Sequence, residues 1–212
     1  MGFPRHLAAA LLVLLAACGE PPRYDPLPAG AVVLAFGDSV TYGTGAGRGE
    51  SYPSVLADLT GWQIVNAGIP GDTAQEAAER ISGALREARP AVAIIELGGN
   101  DFLQRRPASG VKEDLRAIVT AVRDTGAIPV LISVPELSLF GAVTGRLGDS
   151  PIYAALADEE NVLLVDEVFA DVLSDAALRS DRIHPNAAGY RIMAERIASD
   201  LARAGLLAGF SE

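Results

Sequence analysis

The chain has 212 residues, half of them apolar, 6% aromatic and 21% charged, which is ordinary globular composition and enough length for one α/β domain with a full core. Its 17 Lys and Arg stand against 27 Asp and Glu, a formal charge of −10, so it carries no electrostatic footprint for phosphate backbones and no nucleic-acid partner is expected. The single cysteine excludes an internal disulfide and any cysteine-based metal cluster.

The chain opens with MGFPRH and then LAAALLVLLAA, Leu7 to Ala17, an unbroken apolar run of 11 residues. As a helix this run rises about 16 Å, too short to cross a bilayer core of about 30 Å. A charged start at Arg5, a short apolar core and small residues before a break read as a secretory signal over residues 1–17. The break itself, LAAC from Leu15 to Cys18, resembles the lipobox of bacterial lipoproteins, in which the cysteine becomes the lipid-bearing first residue of the mature chain. That resemblance implies lipidation of Cys18 and membrane attachment through an N-terminal lipid anchor. Gly19 rather than Asp behind it implies an outer membrane placement facing the periplasm. A plain signal peptide with an incidental cysteine is the alternative. Residues 18–30, rich in Pro and Gly, are expected to form an extended tether. Without Arg5 the mature chain keeps 16 basic side chains and a balance of about −11.

Beyond residue 30, apolar runs alternate with amphipathic segments. The runs are AVVLAF (31–36), QIVNA (63–67), AVAIIEL (91–97), IPVLISV (128–134) and NVLLVDEV (161–168). Several are continuously apolar, which suits strands buried on both faces of a parallel sheet. In KEDLRAIVTAVRD, Leu115, Ile118, Val119 and Val122 form one helical stripe, and Tyr190, Met193, Ile197 and Leu201 form another in the last helix. Asn186 is the natural N-cap of that last helix, and Asp72 and Thr73 are expected to cap an earlier one running through Glu76, Arg80 and Leu85. Five alternations predict a single three-layer α/β/α domain over residues 31–207. Segment 135–150 is the least patterned and reads as a long loop.

In open parallel sheets ligands bind outside the carboxyl ends of the strands, so the polar residues that end the apolar runs are the candidates for chemistry. The first run gives Gly37-Asp38-Ser39, the second Asn66-Ala67-Gly68 and then IPGDT, the third Gly98-Gly99-Asn100-Asp101. A fourth cluster, Asp181-Arg182-Ile183-His184-Pro185-Asn186, precedes the last helix. The set GDS, NAGxxGDT, GGND and DxxHPN resembles the four blocks of the SGNH (GDSL) hydrolases, in an order and spacing similar to the bacterial thioesterase I/lysophospholipase L1 and arylesterase branch. The resemblance covers nearly all of residues 31–204 and implies a flavodoxin-like fold with a five-stranded parallel sheet.

The residues support acyl-transfer chemistry on their own terms. His6 and His184 are the two histidines, and His6 lies in the segment expected to be removed, so a serine nucleophile in the mature chain has His184 as its imidazole base. Asp181, three residues earlier, can reach His184 Nδ1 on one turn and fix its tautomer. Ser39 sits where a strand-to-helix turn offers free N–H groups, and the same position also suits a simple helix cap. For the oxyanion, the Ser39 N–H, the backbone of Gly68, which has no Cβ to keep a substrate away, and the Asn100 amide are candidate donors, each worth roughly 2.7–4 kcal/mol when judged by removal. The family resemblance implies these same roles for Ser39, Gly68, Asn100 and His184, with Asp181 completing a triad. Asp38 is expected to organise the turn and Asp101 to fix a loop.

GTGAGRG (43–49) fits neither G-x-G-x-x-G nor a GK[ST] phosphate loop, and neither a metal nor any cofactor is expected. Leu137, Leu139, Phe140, Val143 and Leu147 are candidates for an apolar acyl site. Short-to-medium acyl or aryl esters, acyl thioesters and lysophospholipids are therefore the favoured substrates. Deacetylation of a cell-envelope glycan and a non-catalytic anchored binding protein are the alternatives. The sequence leaves the oligomeric state open.

Overall fold

Five apolar runs pair side by side in the order β2-β1-β3-β4-β5, every neighbour parallel. The structure, a computed structural model, describes residues 24–136 and 146–210. In chain order the elements are β1 (Val32–Gly37), α1 (Ser39–Tyr42), α2 (Tyr52–Thr60), β2 (Gln63–Gly68), α3 (Ala74–Ala88), β3 (Val92–Glu96), α4 (Gly99–Leu103) and α5 (Ala108–Asp124). They continue with β4 (Ile128–Ile132), α6 (Pro151–Glu160), β5 (Leu163–Val165), α7 (Val168–Ser174), a 3-10 turn (Ala176–Leu178) and α8 (Ala187–Arg203). The flavodoxin-like three-layer arrangement expected from the sequence is the one observed. Helices α3, α5 and α6 cover one face of the sheet, and α2, α7 and α8 cover the other.

The core explains the continuous apolar runs. Every residue of β3 is buried, as are Val33 to Gly37 of β1, because helices lie on both sides of them. On α5, Leu115, Ile118, Val119 and Val122 are fully buried, and on α8 so are Tyr190, Met193, Ile197 and Leu201. Both predicted stripes therefore face the sheet. Asn186 caps α8 as expected, accepting from Gly189 N at 3.1 Å.

Three expectations change. The last apolar run yields a strand of only three residues, Leu163–Val165, because Glu167 turns left-handed at φ 59° and Val168 starts a helix. At the start of α3, Thr73 and Glu76 form a reciprocal capping box, while Asp72 instead pairs with Arg80 at 2.5 Å. The tether expected over 18–30 is pinned where it is described: Tyr24 N donates to Ala204 O at 3.0 Å and Leu27 N to Leu206 O at 2.9 Å. The loop 135–150 ends in a bridge between Pro135 and Asp149, and Ser150 and Pro151 then open α6. Residues 1–23, including the signal segment and Cys18, lie outside the described residues, as do Leu137, Leu139, Phe140 and Val143.

Gly37 shows how tightly the carboxyl edge is built. A Cβ placed there would lie 2.1 Å from Thr41 Oγ1 and 2.4 Å from the Glu96 carbonyl oxygen. Both neighbours are held, one by α1 and the other by β3, so neither can yield cheaply. Gly37→Ala is expected to destabilise the domain by about 2–3 kcal/mol in denaturant titrations, with an unchanged m-value.

Candidate active site

Strand order reverses between β1 and β3, so their following segments diverge to opposite faces and leave a crevice at the carboxyl edge. Ser39 rises from the end of β1 into that crevice as the first residue of α1. Its turn is set by Asp38, whose Oδ1 accepts from Val40 N at 3.0 Å and so satisfies one of the free donors of the helix start.

The loop before α8 brings the histidine across. Ser180 N donates to His184 O at 2.9 Å, Arg179 and Pro185 form an antiparallel bridge, and Asn186 Nδ2 donates to Ala177 O at 2.8 Å. These bonds hold His184 Nε2 at 3.0 Å from Ser39 Oγ and His184 Nδ1 at 2.8 Å from Asp181 Oδ2. The other Asp181 oxygen accepts from the backbone N–H groups of Ile183 at 2.8 Å and His184 at 2.9 Å. Partial burial pulls the Asp181 carboxyl up. The hydrogen bonds from the His184 ring and from those two N–H groups outweigh it and hold Asp181 below the usual carboxylate range. A fixed anion thus faces Nδ1, which places the proton on Nδ1 and leaves Nε2 as the acceptor for the serine hydroxyl hydrogen.

The expected oxyanion donors are placed less simply. Gly68 lies at the end of β2, but its N–H is engaged by Asn66 Oδ1 at 2.9 Å. Its lack of a Cβ serves packing instead, because a Cβ there would lie 2.2 Å from Tyr42 N and 2.8 Å from Asp38 O. Asn100, near the start of α4, directs its amide hydrogens at Asp38 Oδ2 (3.0 Å) and the Asp72 carbonyl (2.9 Å). Between β2 and α3, Asp72 N donates to Ile69 O at 3.2 Å around Pro70 and a left-handed Gly71 at φ +91°, the sequence signature of a type II turn. The Gly71 N–H has no partner among the described residues. The Pro-Gly dipeptide was a legible turn signal, but nothing in the sequence distinguished Gly71 from Gly68 as a donor.

Arg80, read from the sequence only as a helix residue, ties this edge together. It lies 4.1 Å from the Phe36 ring centre and donates to Gly37 O at 2.9 Å and Ala67 O at 3.0 Å, while pairing with Asp72. Asp101 is fully buried, accepts from Ala74 N at 2.8 Å and pairs with Arg106, so the carboxylate expected to fix a loop joins α4 to α3.

Beside Ser39 and His184 opens a cleft of about 430 Å³, counting its solvent-open mouth. Its apolar wall consists of Leu103, Val134, Pro135, Phe169, Leu173 and Ile183. Phe169 and Leu173 lie on α7, a helix the sequence reading did not separate from the last strand. Leu147, the described member of the residues expected to line an acyl site, borders a different hollow with Asp149 and Asp171. Among the described residues no cluster of His, Cys, Asp and Glu has the geometry to hold a metal ion.

With this geometry in place, comparison with known proteins is informative. The profile of the GDSL-like lipase/acylhydrolase family matches residues 35–192. The chain is 31% identical over 174 residues to the thioesterase 1/protease 1/lysophospholipase L1 of Escherichia coli (strain K12), covering 80% of this chain and 82% of that protein. It is 28% identical over 179 residues to the arylesterase of Vibrio mimicus, covering 81% of this chain and 88% of that one. The crystal structure of TesA superimposes with a TM-score of 0.71 at 27% identity, over 80% of this chain and 97% of that one.

The Asp181 contacts make a separable prediction. Asp181→Asn keeps an oxygen for the Ile183 and His184 N–H groups but no longer holds the imidazole in its tautomer. The expected outcome is a fall in kcat on the order of 10³–10⁴ for a p-nitrophenyl ester, with the thermal midpoint shifted by no more than about 2 °C.

Proposed function

The chain belongs to the GDSL-like lipase/acylhydrolase family and is a serine ester hydrolase, and from that premise we propose that Ser39, His184 and Asp181 form its catalytic triad, acting on esters whose acyl part lies in the apolar cleft. The observation that carries the reading is the unbroken chain from Ser39 Oγ to His184 Nε2 at 3.0 Å and from Nδ1 to Asp181 Oδ2 at 2.8 Å. Ser39 attacks the ester carbonyl as His184 takes its proton. The tetrahedral intermediate collapses as the imidazolium hands that proton to the leaving alkoxide. Water, deprotonated in turn by His184, then releases the acid from the acyl-enzyme.

The negative oxygen of the intermediate is assigned to the N–H of Ser39, the N–H of Gly71 and the amide of Asn100. Gly71 replaces Gly68 in this role because the Gly68 N–H is already bonded to Asn66. Asn100 meets an ionised acceptor on one side and a neutral carbonyl on the other. An incoming oxyanion displaces the weaker of these, the Asp72 carbonyl, and leaves the charge-assisted bond to Asp38 in place.

The cleft wall is aliphatic and aromatic, which favours short-to-medium acyl chains over a sugar. The relatives named thioesterase, lysophospholipase and arylesterase support esters and thioesters as the bond class. For a chain exported by the segment over residues 1–17, carboxylic esters or lysophospholipids are the assigned substrates, because acyl-CoA is cytosolic. The LAAC break supports attachment of that enzyme to the bacterial envelope through a lipid on Cys18.

Two experiments test this. Ser39→Ala is expected to abolish labelling by a phosphonate probe and to lower kcat by on the order of 10⁶, and wild-type enzyme should turn over p-nitrophenyl acyl esters faster than acetylated sugars. The reverse ranking would make the enzyme a carbohydrate deacetylase. Metabolic labelling with a palmitate analogue should be lost on Cys18→Ser; labelling that persists in that variant would remove the anchor.

A further inference from the structure

Beneath Ser39 lies a buried carboxyl pair that the reaction above leaves without a role. Asp38, immediately before the serine, is 3% exposed, and Glu96, the last residue of β3, is fully buried. Glu96 is the register partner of Gly37 across β1 and β3, which sets it beside Asp38, and both carboxyls are bonded to the start of α1, Asp38 through Val40 N and Glu96 through Thr41 Oγ1. Neither forms an ion pair with Lys or Arg among the described residues.

The surrounding hydrogen bonds have assignable directions. Thr41 Oγ1 gives its one hydrogen to Glu96 Oε2 at 3.1 Å, so the Tyr52 hydroxyl, 3.0 Å from Thr41 Oγ1, must donate to it. Asp38 Oδ1 accepts from Val40 N and Oδ2 from Asn100 Nδ2, both at 3.0 Å. Glu96 Oε1 remains, buried and without a donor. If Glu96 were ionised, a bare carboxylate oxygen would sit in the core beside a second carboxylate, which is the costliest arrangement for both. A proton on Oε1 removes the difficulty, because the oxygen then donates to Asp38. Each Asp38 oxygen has a donor, which makes Asp38 the better seat for the negative charge, and Glu96 has an oxygen with none, which makes it the better seat for the proton.

We propose that Glu96 is a positioning residue of this hydrolase: as a neutral carboxylic acid it donates a hydrogen bond to Asp38 and so holds the Asp38 carboxylate against Asn100 and the turn that carries Ser39. The chain of donors runs Tyr52 to Thr41 to Glu96 to Asp38, and Asn100 meets it from the other side. The pair then carries one negative charge behind the oxyanion site instead of two. The inference rests on the serine-hydrolase reading of that site.

The charges around the pair agree with this. Burial, and then the charge on Asp38, push Glu96 well above the usual carboxylate range. Burial also raises Asp38, up to about 6, against the pull of Val40 N–H and His184. The other titratable groups facing the pair are Asp72 and Asp101, together with Tyr52 of α2, Tyr153 of α6 and Tyr190 of α8. Burial pushes all three tyrosines up as well. When Glu96 loses its proton, two like charges face each other, Asp38 is driven from Asn100, and the oxyanion site is lost.

The test compares kcat and KM against pH for a p-nitrophenyl ester in the wild type, Glu96→Gln and Glu96→Leu. The glutamine amide can donate to Asp38 and accept from Thr41 but has no proton to lose. Glu96→Gln is expected to keep kcat within about threefold of wild type at pH 7 and to hold it at the higher pH where the wild type declines. Glu96→Leu is expected to lose about 10–100-fold in kcat with little change in KM, while still unfolding cooperatively. The proposal is overturned if the glutamine variant loses as much as the leucine variant, if wild-type and glutamine pH profiles coincide, or if the leucine variant keeps its kcat. Should the leucine variant fail to fold, the wild-type and glutamine profiles decide alone. A wild type that neither hydrolyses esters nor labels with the phosphonate would instead count against the serine-hydrolase reading.

Discussion

The parallel pairing of β1 with both β2 and β3 is the constraint on which the rest of the molecule depends. Parallel strands deliver all their carboxyl ends to one edge, and the reversal of order between β1 and β3 sends the next helices to opposite faces. Ser39, Glu96 and Asn100 are 61 positions apart at the extremes of that set, yet they come to one edge because each ends or follows a strand there. The register is equally demanding. Gly37 aligns with Gly68 on one side and Glu96 on the other, so the backbone of β1 passes its two neighbours where their polar residues begin. A side chain at Gly37 would push Thr41 or the Glu96 carbonyl away and would displace Ser39 and the carboxyl pair together.

At this edge the same hydrogen bonds satisfy the backbone and orient the reacting groups. Asp38 caps α1 and holds Asn100, and Asn66 binds both Thr41 O and Gly68 N. Asp181 holds the turn of its own loop with one oxygen and the imidazole with the other. A segment without secondary structure must find partners for its N–H and C=O groups somewhere, and here those partners are the residues that position the chemistry. Stability and activity are therefore joined locally, which is why informative variants are those that preserve the hydrogen-bond count.

Much of this was legible in the sequence, and the reason lies in periodicity and punctuation. Continuous apolar runs located the strands, the stripes on α5 and α8 located the core faces, and the residues ending each run were the right places to look. Ser39 follows the first of those run endings, whereas Asp181 and His184 lie in the loop before α8 and reach it through that loop's own hydrogen bonds. What the sequence did not disclose depends on which atom is already engaged. Gly68 and Gly71 look alike as letters, but one N–H is bonded to Asn66 and the other, at a left-handed turn, has no partner among the described residues. The short β5 and the start of the helix after it were merged in the run 161–168 because apolar residues flank Asp166 and Glu167 on both sides, and the left-handed Glu167 separates them. Phe169 and Leu173 join the cleft wall only because α7 exists, and Leu147, the one described member of the expected acyl site, borders a different hollow.

Glu96 was visible as the one acidic letter in AVAIIEL, where a charge at the end of a buried run asks for an explanation. Three carboxyls near the serine answer differently to their surroundings. Asp181 has its side chain 54% exposed and three donors aimed at it, so it stays ionised and stabilises a positive imidazolium. Asp38 is buried with a donor on each oxygen, and Glu96 is buried with one oxygen lacking a donor. On the proposed reading, hydrogen bonding and burial together sort three chemically similar groups into two anions and one acid. The site can then present a fixed negative charge to the imidazole on one side without accumulating a second one beneath the oxyanion.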